Sequence, residues 1–181
     1  TGLRDREPLR SEYCVAKVGD VRSQIDLEQG RWASLMAAIA QERGLSPRAT
    51  TIAIATAFQE SKIDNLDYGD RDSLGLFQQR PSQGWGTAAQ VQDPVYATNA
   101  FYDALVKVDG YEAMEITVAA QAVQRSAFPG AYADHERDAR TIASALTGNS
   151  RAAFSCRLGG EPDGTGDGLG ASGLTDRADE V

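Results

Sequence analysis

Glu60 is the residue whose neighbours in the sequence best suit it to act as a proton donor. The residues three, four, seven and eleven positions before it are Ala57, Thr56, Ala53 and Ala49. In a helix these small side chains share one face with Glu60. Another chain element or a ligand can come close to so narrow a face. A carboxyl group that loses water there has a raised pKa, as a proton donor at neutral pH requires.

The segment after Glu60 carries side chains that suit a sugar ligand. The amides of Gln78 and Gln79 can hydrogen-bond hydroxyl and acetamido groups, and Gly75 allows the backbone to approach a ligand. Aromatic rings that can stack on sugar faces are present at Tyr68, Phe77 and Trp85. Cleaving a glycosidic bond requires a proton on the bridging oxygen while positive charge develops at the anomeric carbon. Glu60 is the predicted source of that proton.

Two motifs around these residues resemble those of the lysozyme-like superfamily, and within it the lytic transglycosylases that cut bacterial peptidoglycan. In that family a helix ends in Glu-Ser, which is Glu60-Ser61 here. The family motif Ser-x-Gly-Leu-Met-Gln-x-x-Pro follows, with Phe77 standing where Met is usual; it is matched by Ser73, Gly75, Leu76, Gln78 and Pro81. The stretch GDRDSLGLFQQRPSQGWGT is also similar to a group of secreted bacterial proteins.

Two further family motifs match fewer residues. Ala-Tyr-Asn-x-Gly falls on residues 122–126, where Ala122 matches, Val123 replaces the aromatic residue and Gln124 replaces Asn with another amide. In the family a Tyr near the start of the final helix contacts the catalytic acid, and Tyr132 is its match. The resemblance covers about residues 31–147. With the hydrogen-bonding and stacking arguments, it predicts substrate binding by Ser73, Gly75, Phe77, Gln78, Trp85, Gln124 and Tyr132.

The resemblance also implies a fold and a mechanism. The fold would be mainly α (α+β, lysozyme-like), a helical domain with a small β-hairpin and loop subdomain lining a glycan cleft. The substrate would be peptidoglycan glycan strands. Glu60 would protonate the oxygen between N-acetylmuramic acid and N-acetylglucosamine and then act as a base. Attack by the muramoyl 6-hydroxyl would give a 1,6-anhydro product without any cofactor, metal or second carboxylate.

Three alternatives to this reaction stay open. If Asp70 or Asp72 faces Glu60 across a water-sized gap, hydrolysis with inversion becomes feasible, as in goose-type lysozymes. The divergent motif at residues 122–126 favours instead a non-catalytic module on the same fold, which binds peptidoglycan or a cell-envelope partner. A structural or regulatory partner of cell-wall machinery is a third class.

The chain has two cysteines, Cys14 and Cys156, which flank nearly everything that is predicted to fold. No histidine or third cysteine lies near them to suggest zinc. We expect a disulfide, which would stabilise the fold by about 4–5 kcal/mol in the chain-entropy model and would imply export to an oxidising compartment outside the cytoplasm. Two buried free thiols are the alternative.

Composition and charge indicate one globular domain, predicted over residues 12–158. Residues 1–11 are predicted to be a linker, and the Gly-rich acidic tail at 159–181 to be disordered. The net charge of −8 argues against nucleic-acid binding. Much of this charge lies in the tail. No long apolar run predicts a transmembrane helix. A membrane tether upstream of Thr1 is left open, and a monomer is expected.

Periodicity and turn signals predict the elements that would position these residues. A hairpin is expected over Tyr13 to Asp26 and a helix over Leu27 to Gly44. Ser46-Pro47 should open the helix that carries Glu60. Residues 62–92 have no helical period and are expected to form a binding loop or a small sheet. Three further helices are predicted from Asp93-Pro94, over 117–125 and over about 131–146.

Overall fold

A computed structural model describes residues 12–125 and 130–159, which form six α-helices and a three-stranded antiparallel sheet. The predicted linker at 1–11 and the predicted tail beyond Gly159 lie outside these residues. The helices are α1 (Leu27–Glu42), α2 (Pro47–Ser61), α3 (Ala88–Gln92), α4 (Pro94–Leu105), α5 (Ile116–Gln124) and α6 (Glu136–Leu146). The strands are β1 (Tyr13–Val18), β2 (Val21–Ile25) and β3 (Phe154–Arg157). The predicted mainly α, α+β class is confirmed.

The sheet joins the two ends of the compact unit that spans Glu12–Arg157. Strand β1 lies in the middle, paired with β2 on one side and β3 on the other. The predicted hairpin is present: Val18 pairs with Val21, and Gly19 begins the turn with a φ of 59°. Only glycine adopts that conformation without strain, as the first position of a type II′ turn requires.

The predicted disulfide between Cys14 and Cys156 is confirmed. The two residues are direct partners across β1 and β3, so the bond closes a sequence separation of 142 residues inside the sheet. Strand β3 itself was not predicted, since four residues are too few for a clear alternating pattern. A disulfide of this kind persists in an oxidising compartment. Among the described residues, none of the helices has the length and apolarity to cross a membrane.

Helix α2 forms the centre of the core. It contacts α1, α4, α5 and α6, and every residue from Ala49 to Ala57 is buried. A helix that is enclosed on all sides has no polar face, which explains its continuous run of Ala, Thr and Ile. Ser46 and Pro47 open it as predicted, although the Ser46 side chain makes no capping hydrogen bond.

Helix α1 packs against the sheet through a glycine. A Cβ atom at Gly30 would lie 2.7 Å from the Cys14 sulfur, a distance that forces a shift. The start of α1 is fixed by a capping box between Asp26 and Gln29, with hydrogen bonds of 2.8 and 2.9 Å. Gly30 therefore lets the helix lie directly on the disulfide.

The segment from 62 to 92 contains more regular structure than its sequence predicts. It includes the short helix α3 with a capping box at Thr87, a 3-10 turn at Pro81–Gln83 and one isolated bridge between Leu74 and Gln79. Val91 is the one buried residue among the five of α3, so the sequence of this helix shows no helical spacing of apolar residues. The final predicted helix also differs, because Ala131–His135 is a 3-10 turn and α6 begins at Glu136.

Gly30→Ala is expected to lower the free energy of unfolding by about 1–3 kcal/mol, because the added methyl group overpacks the contact with the disulfide. Urea denaturation measures the change. In the Cys14→Ala/Cys156→Ala background the nearest sulfur is absent, and Gly30→Ala should cost much less or stabilise through helix propensity. An equal cost in both backgrounds would contradict this account of Gly30.

Candidate active site

Helix α2 ends just after Glu60 through two residues in the left-handed conformation. Lys62 and Ile63 have φ values of 60° and 57°, and neither is glycine. Their backbone N–H groups donate to Phe58 and Ala57, both at 3.0 Å. A β-branched residue is strained in this conformation. The full burial of Ile63 holds it there, so tertiary packing determines where the helix stops.

Ser61 ties the end of α2 to the downstream motif. Its hydroxyl lies 2.8 Å from the carbonyl oxygen of Leu76 and donates to it. The same hydroxyl accepts a hydrogen bond of 3.1 Å from the backbone N–H of Asp64. Ser61 is buried, so these bonds satisfy a polar group that would otherwise be costly. The Glu-Ser pair thus joins Glu60 to the loop that carries Phe77 and Gln78.

The carboxyl group of Glu60 is partly buried and held by two donors. The Tyr132 hydroxyl donates to Glu60 Oε1 at 2.7 Å, so the predicted contact is present. Burial raises the pKa of Glu60, while hydrogen bonds from Tyr132 and Gln124 act in the opposite direction. The effect of burial is the larger, and the pKa lies above its usual value, as predicted.

Gln124 connects Glu60 to the loop. Its side-chain amide hydrogen-bonds Glu60 and also donates to the carbonyl oxygen of Phe77 at 2.7 Å. Gln124 is the last residue of α5, and Arg125 follows with a φ of 51°. Residues 126–129, which separate Arg125 from Gly130, lie outside the described residues. Gln124 precedes that segment in the sequence and Tyr132 follows it, and both hydrogen-bond the Glu60 carboxyl group.

Glu60 lines a cavity of about 770 Å³. The start of α1 forms one side of it, the end of α2 another, and the segment from Asp64 to Tyr68 a third. Gln29 bridges two of these sides by donating to the Lys62 carbonyl oxygen at 2.8 Å. Tyr68 lines this cavity and is 67% exposed, so its ring is accessible for stacking.

Trp85 and Gln124 line a second cavity, of about 780 Å³. Trp85 is partly buried, and the neighbouring Gly86 packs on Tyr96. A Cβ atom at Gly86 would lie 2.7 Å from the Tyr96 hydroxyl, and its φ of 131° excludes other residues without strain. The loop around Trp85 is thereby fixed against α4.

Three predicted substrate contacts are corrected by burial. Phe77 has no exposed surface and stacks on Phe101 with ring centroids 4.6 Å apart, so it is a core residue and not a sugar platform. Ser73 is buried and lines neither cavity. Gly75 does allow a close approach, but to the chain itself: a Cβ atom there would lie 2.3 Å from the Val91 carbonyl oxygen.

Gln78 and the two acids considered as a second carboxylate, Asp70 and Asp72, also lie away from the cavity beside Glu60. The Gln78 amide donates to the carbonyl oxygens of Tyr68 and Gly75 at 3.2 and 3.3 Å, so it holds the loop together. Asp72 accepts hydrogen bonds from the Ser82 backbone N–H and the Arg80 guanidinium, which lower its pKa to about 2. Asp70 is exposed. None of the three is among the described residues that line the cavity beside Glu60.

The cavity contains residues that sequence reasoning did not assign to a site, among them Gln29, Lys62 and Asp64. The capping-box spacing of Asp26 and Gln29 was readable and predicts the start of α1. Nothing in that pattern indicates that α1 begins beside Glu60, because residue 29 and residue 60 meet only through the packing of α1 on α2.

Comparison with known proteins adds no assignment. No protein-family model matches this chain. No curated protein matches it either. The resemblance to the lysozyme-like superfamily therefore rests on the motif residues alone.

The stability of the domain should depend on the protonation of Glu60. Its folded-state pKa lies above the ordinary value of 4.5, so the stabilising contribution of the neutral form is complete below pH 4.5 and is lost as pH rises through the folded-state pKa. Glu60→Gln stays neutral, so the free energy of unfolding of the variant minus that of the wild type should be larger at about pH 8 than at about pH 4. Urea denaturation at both values tests this.

Glu28→Gln is the control for net charge, since it removes an exposed carboxyl group that lines the same cavity. A difference between Glu60→Gln and the wild type that is equal at both pH values would contradict the raised pKa.

Proposed function

We propose that this chain cleaves the glycan strands of peptidoglycan between N-acetylmuramic acid and N-acetylglucosamine, with Glu60 as acid and then base. The proposal is supported chiefly by one observation. A partly buried carboxyl group with a raised pKa lies on a cavity of about 770 Å³ and is held by Tyr132 at 2.7 Å. A lysozyme-like fold, a glycan cleft along this cavity and a location outside the cytoplasm are part of the proposal.

The raised pKa supports the first step. A neutral Glu60 can donate its proton to the bridging oxygen as the glycosidic bond breaks and positive charge develops on the muramoyl sugar. Tyr132 donates to Oε1, and Glu60 lines the cavity that would receive the substrate. The exposed Tyr68 ring supplies a stacking surface in the same cavity.

The hydrogen-bond donors support the second step. Once Glu60 has given up its proton, Tyr132 and Gln124 stabilise the resulting carboxylate. That carboxylate can take the proton from the muramoyl 6-hydroxyl as its oxygen bonds to the anomeric carbon. The proton returns to Glu60, no water is consumed and the product is a 1,6-anhydro sugar.

Hydrolysis is the second candidate reaction, and the position of Asp64 favours it. Asp64 lines the same cavity as Glu60 and is exposed, whereas Asp70 and Asp72 do not line it. A carboxylate there can activate a water on the opposite face of the sugar. The products separate the two reactions, because hydrolysis leaves a reducing end.

Glu60→Gln is expected to lower the release of soluble fragments from purified peptidoglycan by about 1,000-fold or more, because the amide cannot donate the proton that general acid catalysis requires. Mass spectrometry of the fragments measures it. Anhydro-muropeptides that disappear in the variant support the proposal, and reducing-end products that need Asp64 would indicate hydrolysis. Glycan that is bound but not cleaved by the wild type would favour the binding module.

Tyr132→Phe is expected to slow cleavage by about tenfold, since it removes a hydrogen bond to a charged group. The lost bond lowers the pKa of Glu60, so the variant should have a higher pKa. Because the acid must be protonated, the falling limb of the pH profile of kcat/KM should move to higher pH. Tyr13→Phe is the matched control, because Tyr13 lies on β1 and lines neither cavity. An unmoved limb would show that Tyr132 does not act on Glu60.

A further inference from the structure

The second cavity carries charges of the opposite sign to the cavity beside Glu60. Its lining residues include Lys107, two residues after the end of α4, and Arg125, the residue that follows α5. Both side chains are exposed. Among the described residues that line it, the one acid is Asp103, which is paired with Arg43 at 2.7 Å. Two cations therefore line this cavity, and the lining acid is paired with another residue.

The cavity beside Glu60 is acidic. Among the described residues that line it are five acids and one lysine, and the acids other than Glu60 include Asp26, Glu28 and Asp64. A carboxylate that entered this cavity would meet charges of the same sign, which would repel it. A neutral sugar would meet no such penalty.

Gln124 links the two cavities. It lines the second cavity, and its amide hydrogen-bonds Glu60 and the Phe77 carbonyl oxygen. One side chain thus separates the cationic cavity from the carboxyl group on the acidic one.

We infer that the cationic cavity takes a carboxylate-bearing part of the substrate on Lys107 and Arg125, while the acidic cavity takes a neutral stretch of the glycan. This inference rests on the proposed function and deepens it. Two parts of peptidoglycan share the required chemistry: the lactyl carboxylate of N-acetylmuramic acid, which is free once its peptide is removed, and the carboxylates of the peptide stem. The Trp85 and Tyr96 rings add apolar surface beside the cations.

The charge difference predicts a direction of binding. A carboxylate-bearing unit is attracted to one side of Glu60 and repelled from the other, so a strand with alternating charged and neutral groups would be held in one orientation. Because Lys107 and Arg125 are exposed, the attraction should be screened by salt over about 10 Å at 0.1 M ionic strength.

Binding in a Glu60→Gln background tests the inference without cleavage. Three glycan ligands of similar length are compared by isothermal titration calorimetry: chitohexaose, which has no carboxylate; a peptidoglycan fragment freed of its peptides by an amidase; and the same fragment with its stems. We expect one or both carboxylate ligands to bind about 5- to 10-fold more tightly than chitohexaose at low salt. If the stripped fragment shows the gain, the lactyl carboxylate is the source; a gain confined to the stem-bearing fragment assigns it to the peptide.

Charge reversal locates the effect. Lys107→Glu and Arg125→Glu should each remove most of the gain while changing the affinity for chitohexaose by less than about twofold. Lys17→Glu is the matched control, because Lys17 lies on β1, is exposed and lines neither cavity. It should leave all three affinities unchanged. Thermal unfolding confirms that the variants are folded.

Two failures are distinguishable. If all three ligands bind equally, or if the gain survives both charge reversals, the inference is overturned while the proposed glycan cleavage stands. If none of the three binds and the wild type releases no fragments, the proposed function fails and the inference falls with it.

Discussion

The enclosure of α2 by four other helices is the constraint on which the rest of the site depends. Because Ala49 to Ala57 are all buried, α2 cannot rotate or slide without opening the core. Its last turn, and with it Glu60, is therefore held in place. The left-handed pair at Lys62 and Ile63 ends the helix there, and Ser61 joins it to the Leu76 carbonyl oxygen at 2.8 Å.

That rigidity allows two opposing effects to act on one carboxyl group. Burial favours its neutral form, while donors on Tyr132 and Gln124 favour its charged form. A group used first as an acid and then as a base needs both forms to be accessible. The amide-rich loop from 62 to 92 serves this arrangement mainly as a support. Gln78, Gln79 and Gln92 donate to backbone carbonyl oxygens of the loop and of α4.

Several parts of the architecture were predictable from the sequence, each through a local rule. Gly19 indicated the turn of the hairpin, and Pro47 and Pro94 indicated the first turns of α2 and α4. The small residues that precede Glu60 at helical spacing indicated that this face of α2 is buried. Other parts had no local signal. Phe77 belongs to a motif that indicates a functional site, yet its ring stacks on Phe101, which lies 24 positions further along the chain in α4. Likewise, Asp72 is held by Arg80 and Ser82 and so is not available to Glu60.

By itself, the sequence determined the helical class and the covalent closure through Cys14 and Cys156, and it indicated Glu60 as the candidate acid. Capping, periodicity and side-chain chemistry act over a few residues or through one bond. The tertiary structure alone decided which side chains reach that carboxyl group. Tyr132 and Gln124 lie 72 and 64 positions after Glu60. Such distant residues meet only when helices pack, and burial, which raises the pKa of Glu60, is a property of the packed chain as a whole.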